Sequence, residues 1–138
     1  SEEPRRFVAS HLSSIASSYV LATTGGLPLP IAIYAGEEPV GFVMLTYGIT
    51  GYELPSIADD SYCILRLMID KEYQNMGYGR EAMRAILEFI RTFPAGPARY
   101  CWIPYGRDNL TAKKLYESFG FCDNGEICDN EPITVLQL

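Results

Sequence analysis

Apolar residues recur along this chain with two periods, and the changes of period outline its elements. From Ser1 to about Val20, Phe7, Val8, Leu12, Ile15, Ala16 and Tyr19 form a helical stripe, and Pro4 suits a first turn. Thr23 to Pro30 is a cluster of breakers, Thr-Thr-Gly-Gly-Leu-Pro-Leu-Pro. Ile31 to Ala35 reads as a short strand, Gly36-Glu37-Glu38 as a turn and Pro39 to Tyr47 as a returning strand, together a β-hairpin. A loop rich in Gly, Tyr and acids fills Gly48 to Asp60. Ser61 to Asp70 is a third strand, nearly all apolar from Cys63 to Ile69, as in a central strand covered on both faces. Arg66 interrupts that run, and a charge inside it needs a partner.

The second half continues in the same way. Met83, Ile86, Leu87 and Ile90 give one apolar face to a helix from Arg80 to about Phe93, and Phe93-Pro94-Ala95-Gly96-Pro97 stops it. Arg99 to Ile103 is a fourth strand, closed by Pro104. Asp108-Asn109 can cap a helix running to Phe119, with Gly120 at the left-handed position after it. Phe121 to about Asp123 and Ile133 to Leu138 read as the last strands, joined by Asn124-Gly125 and an acidic loop. The order of elements predicts a mixed α/β sheet flanked by helices. With no repeat and no linker, residues 1–138 are expected to form a single domain.

Candidate chemistry begins at Gln74-Asn75-Met76-Gly77-Tyr78-Gly79-Arg80, between the third strand and the helix. The first turn of a helix carries unpaired N–H groups and the positive end of the helix dipole. Gly77 and Gly79 have no Cβ, so an anion such as phosphate can approach the backbone, and Arg80 adds a cation. The pattern is not a dinucleotide fingerprint, because Ala82 stands where its third glycine belongs, and no Gly-Lys-Ser/Thr of a Walker loop follows. On the later helix, Asn109, Ala112 and Tyr116 share one face over roughly 10 Å of axis. A long thin ligand fits along it, with Asn109 hydrogen-bonding an amide. The same positions also suit ordinary core, as Leu115 and Phe119 do.

Composition narrows the classes. The net charge of −6 over 138 residues disfavours nucleic acid and anionic membrane as partners and accommodates a cationic one. Cys63, Cys101, Cys122 and Cys128 have no Cys-x-x-Cys spacing and His11 is remote in sequence, so no metal site is expected. Cys63 and Cys101 read as buried thiols, while Cys122 and Cys128 are able to meet across a hairpin. No signal peptide and no bilayer-length apolar run is seen, which makes the cytoplasm the expected compartment.

Gln-x-x-Gly-x-Gly at Gln74, Gly77 and Gly79 resembles the acetyl-CoA pyrophosphate loop of the GNAT N-acetyltransferases. Asn-x-x-Ala-x-x-x-Tyr-x-x-x-Gly-Phe, at Asn109, Ala112, Tyr116, Gly120 and Phe121, resembles that family's second signature. The two stand in the family's order, and the likeness covers about Ile31 to Leu138. Within the family, Leu-Tyr-Glu-Ser-Phe-Gly-Phe and Asp-Lys-Glu-Tyr-Gln look most like the bacterial spermine/spermidine (diamine) acetyltransferases. The resemblance implies a GNAT fold. That fold normally opens with a strand and a helix before the segment placed first here, which are expected to be missing. It also implies acetyl transfer from acetyl-CoA to a small-molecule amine by direct attack, and it allows a homodimer.

The resemblance also assigns roles. Cofactor-binding groups are the strand edge at Leu67, Met68 and Ile69, the loop from Gln74 through Asn75, Met76, Gly77, Tyr78 and Gly79 to Arg80, and Asn109, Ala112 and Tyr116. The Met68 N–H would polarise the thioester carbonyl, and Tyr116 would protonate the departing thiolate. With no histidine near the motifs, carboxylates acting through water are the candidate bases, with Glu53, Asp59 and Asp60 best placed and Glu72 another. Other readings are a different acceptor (an aminoglycoside, an amino acid or a protein N-terminus) and a CoA-binding regulatory module without turnover.

Overall fold

The computed structural model describes residues 26–49 and 54–138. The expected first helix, with His11, and the candidate base Glu53 lie outside the described residues. The described strands form one mixed six-stranded sheet: β1 (Leu27–Ala35), β2 (Glu38–Tyr47), β3 (Tyr62–Ile69), β4 (Tyr100–Pro104), β5 (Cys122–Cys128) and β6 (Glu131–Gln137). Their spatial order is β1-β2-β3-β4-β6-β5. Helix α1 (Tyr78–Ile90) connects the parallel strands β3 and β4, and α2 (Leu110–Ser118) connects β4 to β5.

Strand β1 starts at Leu27, inside the stretch expected to be breakers. Among the described residues it is an edge strand, and an edge accommodates Pro28 and Pro30 because the missing N–H falls on the side away from β2. Helix α1 buries Ala82, Met83, Ile86, Leu87 and Ile90, the expected face, but ends at Ile90 rather than Phe93. Beyond it the Thr92 and Phe93 N–H groups bond three residues back, and Phe93 turns left-handed at φ 55°. The Tyr62 hydroxyl then holds the descending chain. It accepts from the Ala95 and Gly96 N–H groups at 2.9 and 3.1 Å and donates to the Gly96 carbonyl at 2.8 Å.

The last hairpin also departs from expectation. Strand β5 runs through Asn124-Gly125 with an irregular register, and the turn falls at Asp129-Asn130, at φ 52° and 65°. Two consecutive left-handed residues are what a tight hairpin turn requires. Gly125, at φ 86°, instead serves the irregular stretch, beside Glu126, whose carboxylate accepts from the Ser56 N–H and hydroxyl at 2.9 Å each. Cys122 and Cys128 therefore stand at opposite ends of one strand and cannot meet across a hairpin. All four cysteines are free thiols.

Two apolar layers sandwich the sheet. On one face, Val43, Leu45, Tyr62, Ile64, Cys101 and Ile103 pack with the buried side of α1, with Tyr116 and Phe119 of α2 alongside. On the other, Phe42, Met44, Cys63, Trp102 and Ile133 are covered by Ile49 and Ala58. The strand buried on both faces is β2, from Val40 to Thr46; β3 is buried only over Tyr62–Ile64 and alternates beyond. The cause lies in the pairing. Strand β3 pairs with β2 along its length but with β4 only at Tyr62↔Cys101 and Cys63↔Trp102. After Cys63 the two parallel strands part.

Arg66 is accommodated by a bulge. In β2 the partners step from Met44↔Arg66 to Leu45↔Ile64, which leaves Leu65 as an extra residue in β3. The extra residue reverses the alternation of side chains. Without it Arg66 would share the face of Tyr62 and Ile64 in the main core. With it Leu67 and Ile69 take that face, and Arg66 is exposed.

Candidate active site

Where β3 and β4 part, a cleft of about 500 Å³ opens over the helical face of the sheet. Leu67 and Ile69 form its floor, Gly79 and Arg80 of α1 one wall, and Asn109, Ala112, Leu115 and Tyr116 of α2 the other. Seven of the residues expected from sequence thus meet in one place. Thr111, Lys114 and Leu115 line it as well and were not anticipated. Lys114 sits on a polar helix face, where a lysine gives no signal of its own.

The main chain of β3 offers the cleft a free edge. The Asp70 N–H donates to the Val40 carbonyl at 2.8 Å, and the Met68 carbonyl lies against Gly41, so both residues turn their polar groups toward β2. Alternation then points the groups of Leu67 and Ile69 toward the edge that β4 leaves open. The Ile69 carbonyl accordingly accepts from Gln74 Nε2 at 3.0 Å. This corrects the expected donor: the Met68 N–H faces β2, and its side chain, 42% exposed, does not line the cleft. The N–H groups facing the opening are those of Leu67 and Ile69.

At the head of the cleft the loop turns into α1 through two left-handed residues, Asn75 at φ 64° and Gly77 at φ 83°. Gly77 is the N-cap, and no side chain satisfies the helix start. The N–H groups of Tyr78, Gly79 and Arg80 have no acceptor within the helix. Tyr78 stacks edge-on against Tyr73 with ring centroids 6.0 Å apart, and the Tyr73 hydroxyl bonds the Glu38 carboxylate. Those contacts tie the loop to the β1–β2 hairpin. Met76 is exposed. Gly79 has no conformational need to be glycine: a Cβ there would meet only Leu115 Cδ2, at 3.8 Å. Its bareness serves the cleft rather than the fold. Arg80 reaches α2, donating to Ser118 Oγ at 3.2 Å with its guanidinium 5.6 Å from the Phe119 ring.

Asn109 is the N-cap of α2, and its Oδ1 accepts from the Ala112 N–H at 3.1 Å. Its amide NH₂ is the part left to donate to a ligand. Tyr116 is half-buried beside Phe121, ring centroids 6.3 Å apart. Burial, and then the charge of Glu131, raise its phenol above the ordinary value. Tyr116 therefore holds its proton at neutral pH and can donate it. Glu131, the first residue of β6, was not foreseen; its carboxylate lies beside Gly106, in the loop that leads into α2.

Asp59 and Asp60 are not in this cleft. They line a different cavity before the start of β3, more than about 20 Å along the strand from Ile69. Glu72 lies exposed in a 3₁₀ turn after β3.

An open strand edge, a bare helix start and a half-buried phenol meet along one cleft. The family model "Acetyltransferase (GNAT) family" matches residues 6–121. The chain belongs to this family. A probable spermine N(1)-acetyltransferase of Bacillus subtilis subsp. natto is 29% identical over 114 residues, 79% of this chain and 70% of that protein. A spermine/spermidine N(1)-acetyltransferase of Bacillus subtilis strain 168 is 28% identical over the same shares. Among solved structures, a Pyrococcus horikoshii protein aligns with TM-score 0.61 and 21% identity; the alignment covers 78% of this chain and 63% of that one. The aminoglycoside acetyltransferase AAC(6′)-Ib, in complex with coenzyme A, aligns with TM-score 0.69 and 21% identity over 86% and 70% of the two chains. These likenesses show the GNAT fold, as the two sequence signatures led one to expect.

Proposed function

We propose that this GNAT chain is an N-acetyltransferase that moves the acetyl group of acetyl-CoA to a primary amine by direct attack. The observation that carries the reading is the convergence of the open β3 edge, the uncapped start of α1 and the Tyr116 phenol on one cleft. The N–H groups of Tyr78 to Arg80 bind the diphosphate, with Arg80 and Lys114 supplying positive charge. The pantetheine arm lies along β3 as an added strand would, and the Asn109 amide donates to one of its carbonyls. The Leu67 N–H polarises the thioester carbonyl. The amine nitrogen bonds to the carbonyl carbon, the carbon–sulfur bond breaks and Tyr116 gives its proton to the sulfur; the proton then shed by the acylated nitrogen restores the Tyr116 phenol through solvent.

The amine must first lose a proton. Glu131 is the described carboxylate whose charge reaches Tyr116, which makes it a better placed base than Asp60. Glu53 remains the other candidate. The acceptor we favour is a polyamine. The names of the two Bacillus relatives and the net charge of −6 support it. An aminoglycoside is the second reading, favoured by the likeness to AAC(6′)-Ib. A module that binds CoA without turnover leaves the protonated phenol at the cleft without a use. The reading carries a single catalytic domain with it, cytoplasmic and able to pair as a homodimer; no described helix is long and apolar enough to cross a membrane. Thioester consumption assayed with spermidine, kanamycin, an amino acid and an N-terminal peptide tests it. We expect amine-dependent release of coenzyme A, fastest with spermidine. Consumption that ignores every amine contradicts the proposal.

A further inference from the structure

We propose that the cavity at the other end of the sheet is a second binding site, for an organic ammonium ion with an apolar body. This cavity of about 730 Å³ lies where β3 and β4 begin, between the loop preceding β3 and the chain descending from α1. It shares no lining residue with the acetyl-CoA cleft. The paired stretch Tyr62–Cys63 against Cys101–Trp102 stands between the two.

Three aromatic side chains, Tyr47, Phe93 and Tyr100, face the cavity together with Asp59 and Asp60. Tyr47 is held in place: its ring lies 4.8 Å from that of Tyr62 and its hydroxyl donates to the Pro97 carbonyl at 2.8 Å. Phe93 is 42% exposed although aromatic. Phe93 and Asp60 both have a left-handed backbone, at φ 55° each, a conformation that non-glycine residues rarely adopt. Neither Asp59 nor Asp60 is in an ion pair with a described residue. Arg99 also lines the cavity, so two carboxylates face one guanidinium and the lining keeps a net negative charge.

Aromatic faces carry negative potential and attract cations, most strongly those that shed water easily. Carboxylates add charge and disfavour an anion. Rings and carboxylates together select an ammonium with a hydrocarbon body over a carboxylate of the same shape. The site does not depend on the catalytic reading, because it involves none of the cleft residues.

The probe is benzyltrimethylammonium, which has no N–H to be acetylated. It is titrated by calorimetry into the full chain saturated with coenzyme A, so that the cleft is occupied. We expect saturable one-to-one binding and, for benzoate, no comparable binding. Asp59→Asn with Asp60→Asn should weaken binding roughly tenfold and leave coenzyme A affinity unchanged. Phe93→Gly suits the left-handed backbone and is expected to fold; it should weaken binding several-fold. Tyr116→Phe should leave binding unchanged. No saturation into the millimolar range, equal binding of benzoate, or full affinity in both the aspartate and Phe93 variants overturns the proposal. Failure of coenzyme A to bind counts instead against the proposed function, and the same titration then runs on the free protein.

Discussion

In the proposed reaction Tyr116 acts through one property, a proton it does not readily lose. Burial raises its phenol first, and Glu131 adds to the effect. As an acid it should therefore not fail below about pH 10, the reference value of a tyrosine. The rate should rise with pH as the amine is deprotonated, with no descending limb below about pH 10; a profile of kcat against pH checks this. Tyr116→Phe should lower kcat by ~10²-fold while acetyl-CoA affinity is retained, measured by steady-state kinetics and calorimetry. Gly79 makes a complementary case. A methyl group there meets only Leu115, at 3.8 Å, and alanine is the better helix former by up to about 1 kcal/mol. Gly79→Ala should leave Tm unchanged or slightly raised and weaken acetyl-CoA binding by ~10-fold, since the methyl occupies the approach to the α1 N–H groups. A fall in Tm would mean the glycine serves packing after all.

The element that makes the site is the far half of β3, which the bulge at Leu65 turns over and the departure of β4 uncovers. Gly41 supports it from β2, where a Cβ would come within 2.3 Å of the Met68 carbonyl. Gly41→Ala should push β3 away from β2, cost about 1–3 kcal/mol by denaturant unfolding and weaken acetyl-CoA binding as well. Elements with a strong local signal were legible in the sequence. The α1 face shows in Met83, Ile86, Leu87 and Ile90, the α2 cap in Asn109 and its end in Gly120, at φ 98°. The bulge was not legible, because Leu-Arg-Leu-Met reads as one strand in either register and only the partner strand fixes the phase. The last turn misled for a related reason: Asn-Gly is the stronger local signal, yet pairing with β6 breaks off there only to resume at Ile127, and the chain turns at Asp129-Asn130. The acids before β3 were assigned to catalysis from their nearness in sequence to the strand. Asp59 and Asp60 stand at its start, whereas the cleft lies at its end.

At the scale of the molecule, the sheet divides two sites, and one tyrosine adds a tie from the end of β4 to the far edge strand, β5. Tyr105 donates to Asp123 Oδ2 at 2.7 Å, and Lys113 lies 6.0 Å from its ring, which joins β4, α2 and β5. Burial, helped by that hydrogen bond, pushes Tyr105 up to about 12, and Tyr116 is raised as well. Both folded values exceed the unfolded one, so their contribution to stability is complete below about pH 10 and is lost as pH climbs toward 12 and past it. Tm should begin to fall near pH 9, where the thiols of Cys63 and Cys101, raised by burial, titrate in the unfolded chain, and should drop further beyond about pH 10; Tyr105→Phe should lessen the later drop.

Acetyl-CoA is proposed to lie in the opening between β3 and β4 with its diphosphate on the start of α1. The most direct measurement is a titration of the ¹⁵N-labelled protein with acetyl-CoA, followed by amide NMR. The largest shifts should fall on Gly77 to Arg80 and on Leu67 and Ile69, with Asp59 to Ser61 unmoved. Unchanged amides at the start of α1, or largest shifts elsewhere, would contradict the account.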